Sequence, residues 1–137
     1  MKKSIFLLIL IFIFSALALH AEVFVGDLEG IKTVEFEGYG KAGKSTIKAL
    51  KQSDSYDEAK KNAQAELGNY IKSIKTIDKV TLEELSQGSL SIQKVFADTI
   101  KESKVTFKEW DSDDNSKVKV QLDLIKLKDK LTKLGVK

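Results

Sequence analysis

Between Ser55 and Ile74 the apolar residues fall at Ala59, Ala63, Leu67, Tyr70, Ile71 and Ile74, which draws a single stripe down a helix. Lys60, Lys61, Gln64, Glu66 and Lys72 lie mostly off that stripe. The spacing predicts an amphipathic helix of about five turns. It starts near Asp54 or Ser55, either of which can accept hydrogen bonds from the first free backbone amides. Alanines line its first half, so the helix can approach a sheet closely there. Gly68 costs it up to about 1 kcal/mol relative to alanine. A chain carrying this element needs a second apolar layer.

Val34-Glu35-Phe36-Glu37 alternates as a half-buried strand does, with Val34 and Phe36 on one face and both glutamates on the other. Gly38, Gly40 and Gly43 are expected to break it. Val23-Phe24-Val25 is a possible short strand before that, and Ser45 to Ser55 reads as a loop or a short helix. Thr81, followed three residues later by Glu84, has the pattern of a capping box. Ile92, Val95, Phe96, Thr99 and Ile100 give a second amphipathic helix from about Ser89 to Glu102. Two strands follow. Val105 and Phe107 alternate with polar residues up to Trp110, and Val118, Val120, Leu122 and Leu124 alternate with Lys119, Gln121 and Asp123. Trp110 falls on the face opposite Val105 and Phe107 unless a bulge shifts it. Tyr70 and Trp110 are read as core residues that could alternatively line a groove. The end, with Leu124, Leu127, Leu131 and Leu134 among lysines, is a short amphipathic helix stopped by Gly135. The expected fold is α+β: a small antiparallel sheet of about three strands with two amphipathic helices packed on one face.

The N-terminus bounds the compartment. Met1-Lys2-Lys3, an apolar run from Ile5 to Leu19 and then His20-Ala21 have the layout of a secretory signal peptide over residues 1–21, leaving a single domain over 22–137. The apolar run is shorter than the roughly 20 residues a helix needs to span a bilayer. Cleavage fits after Ala21 or after Ala18, and the chain has no cysteine to carry a lipid. Without Lys2 and Lys3, 21 lysines face 20 acids, so the whole-chain excess of +3 falls to +1. The only histidine and only methionine leave with the leader, and arginine is absent throughout. This inventory lacks the usual nucleophile and base pairs of acyl transfer. It also forms no basic stripe for nucleic acid.

Two motifs carry chemistry on paper. Gly38-Tyr39-Gly40-Lys41-Ala42-Gly43-Lys44-Ser45 matches a phosphate loop, in which backbone amides, Lys44 and Ser45 would hold phosphates and magnesium around Gly38 and Gly43. The competing reading, a flexible Gly/Lys loop leaving a strand, is favoured because no long helix starts at Lys44-Ser45 and no parallel sheet is expected. Asp111, Asp113 and Asn115 match the first ligands of a calcium loop, but Ser116 and Leu122 stand where glycine and glutamate are required. A solvated hairpin turn is favoured there. No cofactor is expected. The C-terminal lysines could touch an anionic membrane surface.

A strand ending in Gly-x-Gly (Val34 to Gly40), the Ala-spaced run Glu58 to Leu67 and a closing pair of strands ending in Val118-Lys119-Val120-Gln121-Leu122-Asp123-Leu124 together resemble the LPP-twenty envelope lipoprotein family. The N-terminal domain of the flagellar assembly protein T is similar in layout. The resemblance implies an exported α+β cell-envelope domain without enzymatic activity that meets protein or envelope components through surface contacts. It also implies that Gly38 and Gly40 end the first strand. The missing lipid-bearing cysteine implies a periplasmic or secreted form.

Overall fold

A computed structural model describes residues 22–137, so the leader expected over 1–21 lies outside the described residues. The chain folds as α+β. After a 3-10 turn at Val25–Asp27 come α1 (Leu28–Ile31), β1 (Thr33–Gly40), α2 (Lys48–Ser73), α3 (Leu82–Gln87), α4 (Leu90–Glu102), β2 (Lys104–Trp110), β3 (Ser116–Asp123) and α5 (Leu124–Lys133). The strands form one antiparallel sheet in the order β1-β3-β2. Its central strand is the one whose sequence alternates most strictly: Val118, Val120 and Leu122 are buried against the helices.

α2 is longer than the spacing predicts. It starts at Lys48, so the stretch read as a loop or short helix supplies its first two turns. Ser55 extends the alanine row, and Ser55, Ala59, Ala63, Leu67 and Ile71 are all buried at four-residue intervals. At 26 residues α2 is about 39 Å long. It crosses the sheet on β1 and continues over β3.

β1 ends at Gly40, as expected, but Gly38 does not break it; Gly40 pairs with Ser116 and Gly38 with Val118, both on the face that meets α2. A Cβ on Gly38 would overlap the Ala59 carbonyl oxygen and the Ala63 amide; one on Gly40 would overlap the Ser55 carbonyl and lie 2.6 Å from the Ala59 nitrogen. Glycine is needed here because helix backbone fills the space a side chain would take. Gly68, on the other side of α2, accommodates the Ile100 side chain of α4, 3.3 Å from where its own Cβ would stand.

β2 contains the irregularity that settles Trp110. Val105 pairs with Val120, but Phe107 pairs with Lys119, so a bulge between them shifts the register by one residue. Val105 therefore faces the helices while Phe107, expected to share its face, turns outward and is 39% exposed. The same shift carries Trp110 to the helix side, where its ring lies 6.4 Å from that of Tyr56 and its Nε1 donates to the Gln52 carbonyl at 3.1 Å. Tyr70 packs on Phe36 with ring centroids 5.3 Å apart, and burial raises its phenol pKa.

The termini close the far corner. The possible strand at Val23–Val25 is a single bridge from Phe24 to Lys75, followed at once by helical turns. The Val25 amide donates to the Lys75 carbonyl, and the Ile77 amide donates to that of Lys137. Caps fix the shorter helices as their sequences suggest. Thr81 and Glu84 form the capping box of α3, Ser89 accepts from the Ile92 amide at α4, and Asp123 accepts from the Lys126 amide at α5.

Because the obstacle at β1 is main chain, Gly38→Ala and Gly40→Ala are each expected to lower stability by about 3 kcal/mol or more. Gly30→Ala, with open space around it, should be neutral or stabilising by up to about 1 kcal/mol. Urea denaturation measures all three, and equal small effects would show that the close approach is not constraining.

Candidate functional site

The two motifs singled out in the sequence meet at one corner of the molecule. The amides that would cradle a phosphate are already engaged. Lys41 N donates to Glu58 Oε2 at 2.7 Å, Ala42 N to Asn115 Oδ1 at 3.0 Å, and Gly43 N to the Lys51 carbonyl at 3.3 Å. Asp54 sits against Gly43, and the Ser45 hydroxyl accepts from the Ile47 amide. Gly38 is strand, Lys44 and Ser45 precede the helix by several residues, and the helix starts only at Lys48. A phosphate here would have to displace two carboxylate-bearing side chains, so the segment lacks the geometry of a phosphate loop.

The Asp111–Ser116 turn is closed on itself. Asp111 Oδ1 accepts from the amides of Asp113 (2.9 Å) and Asn115 (3.0 Å), while its Oδ2 accepts from Asn115 Nδ2 (3.0 Å). The Asn115 side-chain bond first, and the two backbone amides with it, hold the Asp111 carboxyl below its ordinary pKa. Asp114 takes the left-handed conformation the turn requires, at φ 64°, and accepts from Gln52 Nε2 at 2.9 Å. Of the groups read as calcium ligands, the Asp111 carboxylate thus closes the hairpin and the Asn115 amide ties it to the loop after β1, while Asp114 holds it to α2. Among the described residues no group of three or more acidic, histidine or cysteine side chains is placed to hold a metal ion.

The opposite face of the sheet is left uncovered by the helices. The register sets its residues in rows across the three strands: Tyr39, Lys117 and Glu109; then Glu37, Lys119 and Phe107; then Glu35, Gln121 and Lys104. The lysines of the central strand tie the rows together. Lys119 Nζ lies 3.2 Å from Glu37 and 3.6 Å from Glu35, and Lys117 Nζ lies 3.5 Å from Glu37. Each lysine also sits by an aromatic ring, Lys117 at 5.8 Å from Tyr39 and Lys119 at 5.7 Å from Phe107. The Tyr39 hydroxyl donates to Glu37 at 3.0 Å, and Thr106 donates to Glu35 at 2.7 Å. The Lys119 ammonium, and then the Tyr39 hydroxyl, lower the Glu37 pKa; Glu37 in turn raises that of Lys119.

This lattice holds two aromatics outward: Tyr39, 60% exposed, and Phe107. Beside Tyr39 and Lys117 the face runs into a cleft of about 710 Å³ bounded by Lys41, Glu58, Asn62 and Trp110. Sequence reasoning placed Glu35 and Glu37 on a polar face without assigning it a use. The signal available was the pairing of Glu-x-Glu in the first strand with Lys-x-Lys in the last, which only the register brings opposite each other. Compared with known protein families and with curated proteins, the chain matches none.

A lowered carboxyl pKa stabilises the fold above the ordinary carboxylate range, and that contribution is lost as pH falls through the depressed value. The raised Lys119 pKa acts in the other direction, its contribution being lost as pH rises through the raised value. A carbon-13 titration of the side-chain carboxyls should therefore show the Glu37 midpoint moving up in Lys119→Met and that of Asp111 moving up in Asn115→Ala. Unmoved midpoints would show that the contacts are not maintained in solution.

Proposed function

We propose that the protein is an exported, non-enzymatic binding module of the bacterial cell envelope that engages a protein partner through the open face of its sheet. The observation that carries this reading is the exposure of Tyr39 and Phe107 on a face whose central charges, Glu35, Glu37, Lys117 and Lys119, are mutually paired. Exposed aromatics set among satisfied polar groups are typical of protein interfaces, where tyrosine and phenylalanine are enriched. The charge balance favours a protein over a polyanion, since Lys117 and Lys119 are offset by Glu35 and Glu37. The loop amides after Gly40 and the Asp111 and Asn115 side chains, which suggested phosphate and calcium chemistry, are engaged in holding the fold, and surface contact is the function best supported. The order of strand, Ala-spaced helix and closing hairpin is also the layout on which the resemblance to the envelope lipoprotein family rests. Export itself rests on the leader-like sequence before Glu22, and the processed protein is expected to begin at Glu22 or Leu19, read by N-terminal sequencing.

A photo-crosslinking amino acid placed at Phe107 should capture a specific protein in intact cells, whereas one at Lys61 on the outer face of α2 should not. Tyr39→Ala should reduce capture from the Phe107 position at least tenfold with an unchanged Tm. Equal capture from both positions would overturn the assignment of the face.

A further inference from the structure

Thr46 to Leu50, where the chain enters α2, are all exposed. Two of the five are large aliphatic residues, Ile47 at 58% and Leu50 at 51% exposure, and neither belongs to the core. The same residues run against the preferences that shape a helix start. Ile47 takes the N-cap position, where serine, threonine, aspartate or asparagine is favoured, and no side chain caps the helix. The first turn holds no acid; Lys48 and Lys51 stand there instead, at the positive end of the helix dipole. Local rules broken together, with no gain to the fold, mark a place shaped by something outside it.

Lys41, Lys44, Lys48 and Lys51 are the only charged residues between Gly40 and Asp54. None of their ammonium groups is in an ion pair among the described residues. Helix side chains lean toward the N-terminus, so Lys48 and Lys51 carry their charges toward the end where Ile47 and Leu50 stand. The acids nearby are set apart from that end. Asp114 of the hairpin meets α2 through Gln52, which lies across the helix from Leu50. Asp54 packs against Gly43, and Asp57 lies about two turns beyond Leu50. The tip is also firmly mounted, since the Lys51 carbonyl accepts from the Gly43 amide at 3.3 Å and Gln52 donates to Asp114 at 2.9 Å.

We infer that this end of α2 docks on an anionic membrane surface, with Ile47 and Leu50 entering the interfacial layer and Lys44, Lys48 and Lys51 among the lipid headgroups. Protein interfaces favour aromatic residues and are depleted in lysine. Lysine beside bare aliphatic side chains is the composition of an interfacial anchor. The C-terminal helix, whose lysines suggested such a contact in the sequence, is less suited to it. Its Leu124, Leu127 and Leu131 are buried, and Lys128 and Lys130 are paired with Glu29 and Glu102. Because α2 covers one face of the sheet and Tyr39 and Phe107 stand on the other, a molecule docked this way keeps its open face turned from the lipid.

Co-sedimentation of the processed protein, residues 22–137, which hold the whole described core, with lipid vesicles tests the docking. Binding is expected to phosphatidylcholine vesicles that contain phosphatidylglycerol and not to phosphatidylcholine alone, and it should weaken as salt rises. K44Q/K48Q and I47S/L50Q should each weaken it by about tenfold or more, whereas K126Q/K133Q, with the same change in net charge as K44Q/K48Q, should alter it by less than about twofold. Tyr39→Ala should leave it unchanged, which separates this contact from the open face. Ile47→Ser supplies a favoured cap and Leu50→Gln keeps a good helix former, so the Tm should hold or rise and lost binding is separable from unfolding. The chain has no cysteine, so Ala49→Cys can carry a single environment-sensitive fluorophore at the tip. Its emission should shift to the blue on the anionic vesicles, and that of the same label on Lys133→Cys should not. Binding without charge selectivity, equal loss in K44Q/K48Q and K126Q/K133Q, or an unshifted probe on Ala49→Cys would overturn the assignment. The unshifted probe is the outcome expected if the patch meets an acidic protein instead.

Discussion

The fold depends on main chain meeting main chain. α2 lies so close to β1 that Gly38 and Gly40 have no room for a side chain, and the helix presents Ser55, Ala59 and Ala63 to them. Both partners then grow in the same direction. The helix row runs from Ser55 through the alanines to Leu67 and Ile71, and the strand runs back from Gly40 and Gly38 to Phe36 and Val34. Helix and strand are in near contact at one end and separated by large side chains at the other. At that wider end the leucines of α5 and the apolar face of α4 complete the core.

The same approach explains why two sequence motifs suggested chemistry and supplied structure. A helix held this close brings its first turns against the loop after β1 and against the β2–β3 turn. The polar groups there satisfy one another: Glu58 and Asn115 hold the amides after Gly40, and Gln52 reaches Asp114 and Trp110. Glycine, lysine, aspartate and asparagine collect at such a corner because tight turns need backbone freedom and local acceptors. A phosphate loop and a calcium loop use those residue types for the same local reasons, so composition and spacing alone do not tell them apart. What separates them is where the amides and carboxylates point, which depends on contacts 17 to 73 residues apart in sequence.

Most of the architecture was legible in the chain. The Ala-spaced stripe, the capping box at Thr81, the helix beginning after Ser89 and the alternation of β3 all follow from local periodicity and end chemistry and all are present, the helix with the stripe starting at Lys48 rather than near Ser55. The misses share a cause. The first turns of α2 carry few apolar residues, and they are held by Gln52 and Ser55, whose partners lie on distant elements. Gly38 reads as a strand breaker because glycine is weak in isolated strands, yet β1 continues through it to Gly40 because the close approach of α2 requires glycine there. The leading Val23-Phe24-Val25 has strand composition but finds only the single bridge to Lys75. The open face was legible only as polarity. Its pairing of glutamates, lysines and aromatics exists through a register that no single segment contains.

The bulge between Val105 and Phe107 has a consequence for comparing this chain with any relative. Strand residues alternate between faces, so one extra residue exchanges the environments of everything beyond it. An alignment that runs through β2 without a gap would set Phe107 in a core column and Trp110 in a solvent column, scoring both as mismatches although the folds agree. A gap at Thr106 restores the correspondence. Insertion or deletion of a single residue there is accordingly the change that would most alter which aromatic this protein presents outward, more than any single replacement within the strand.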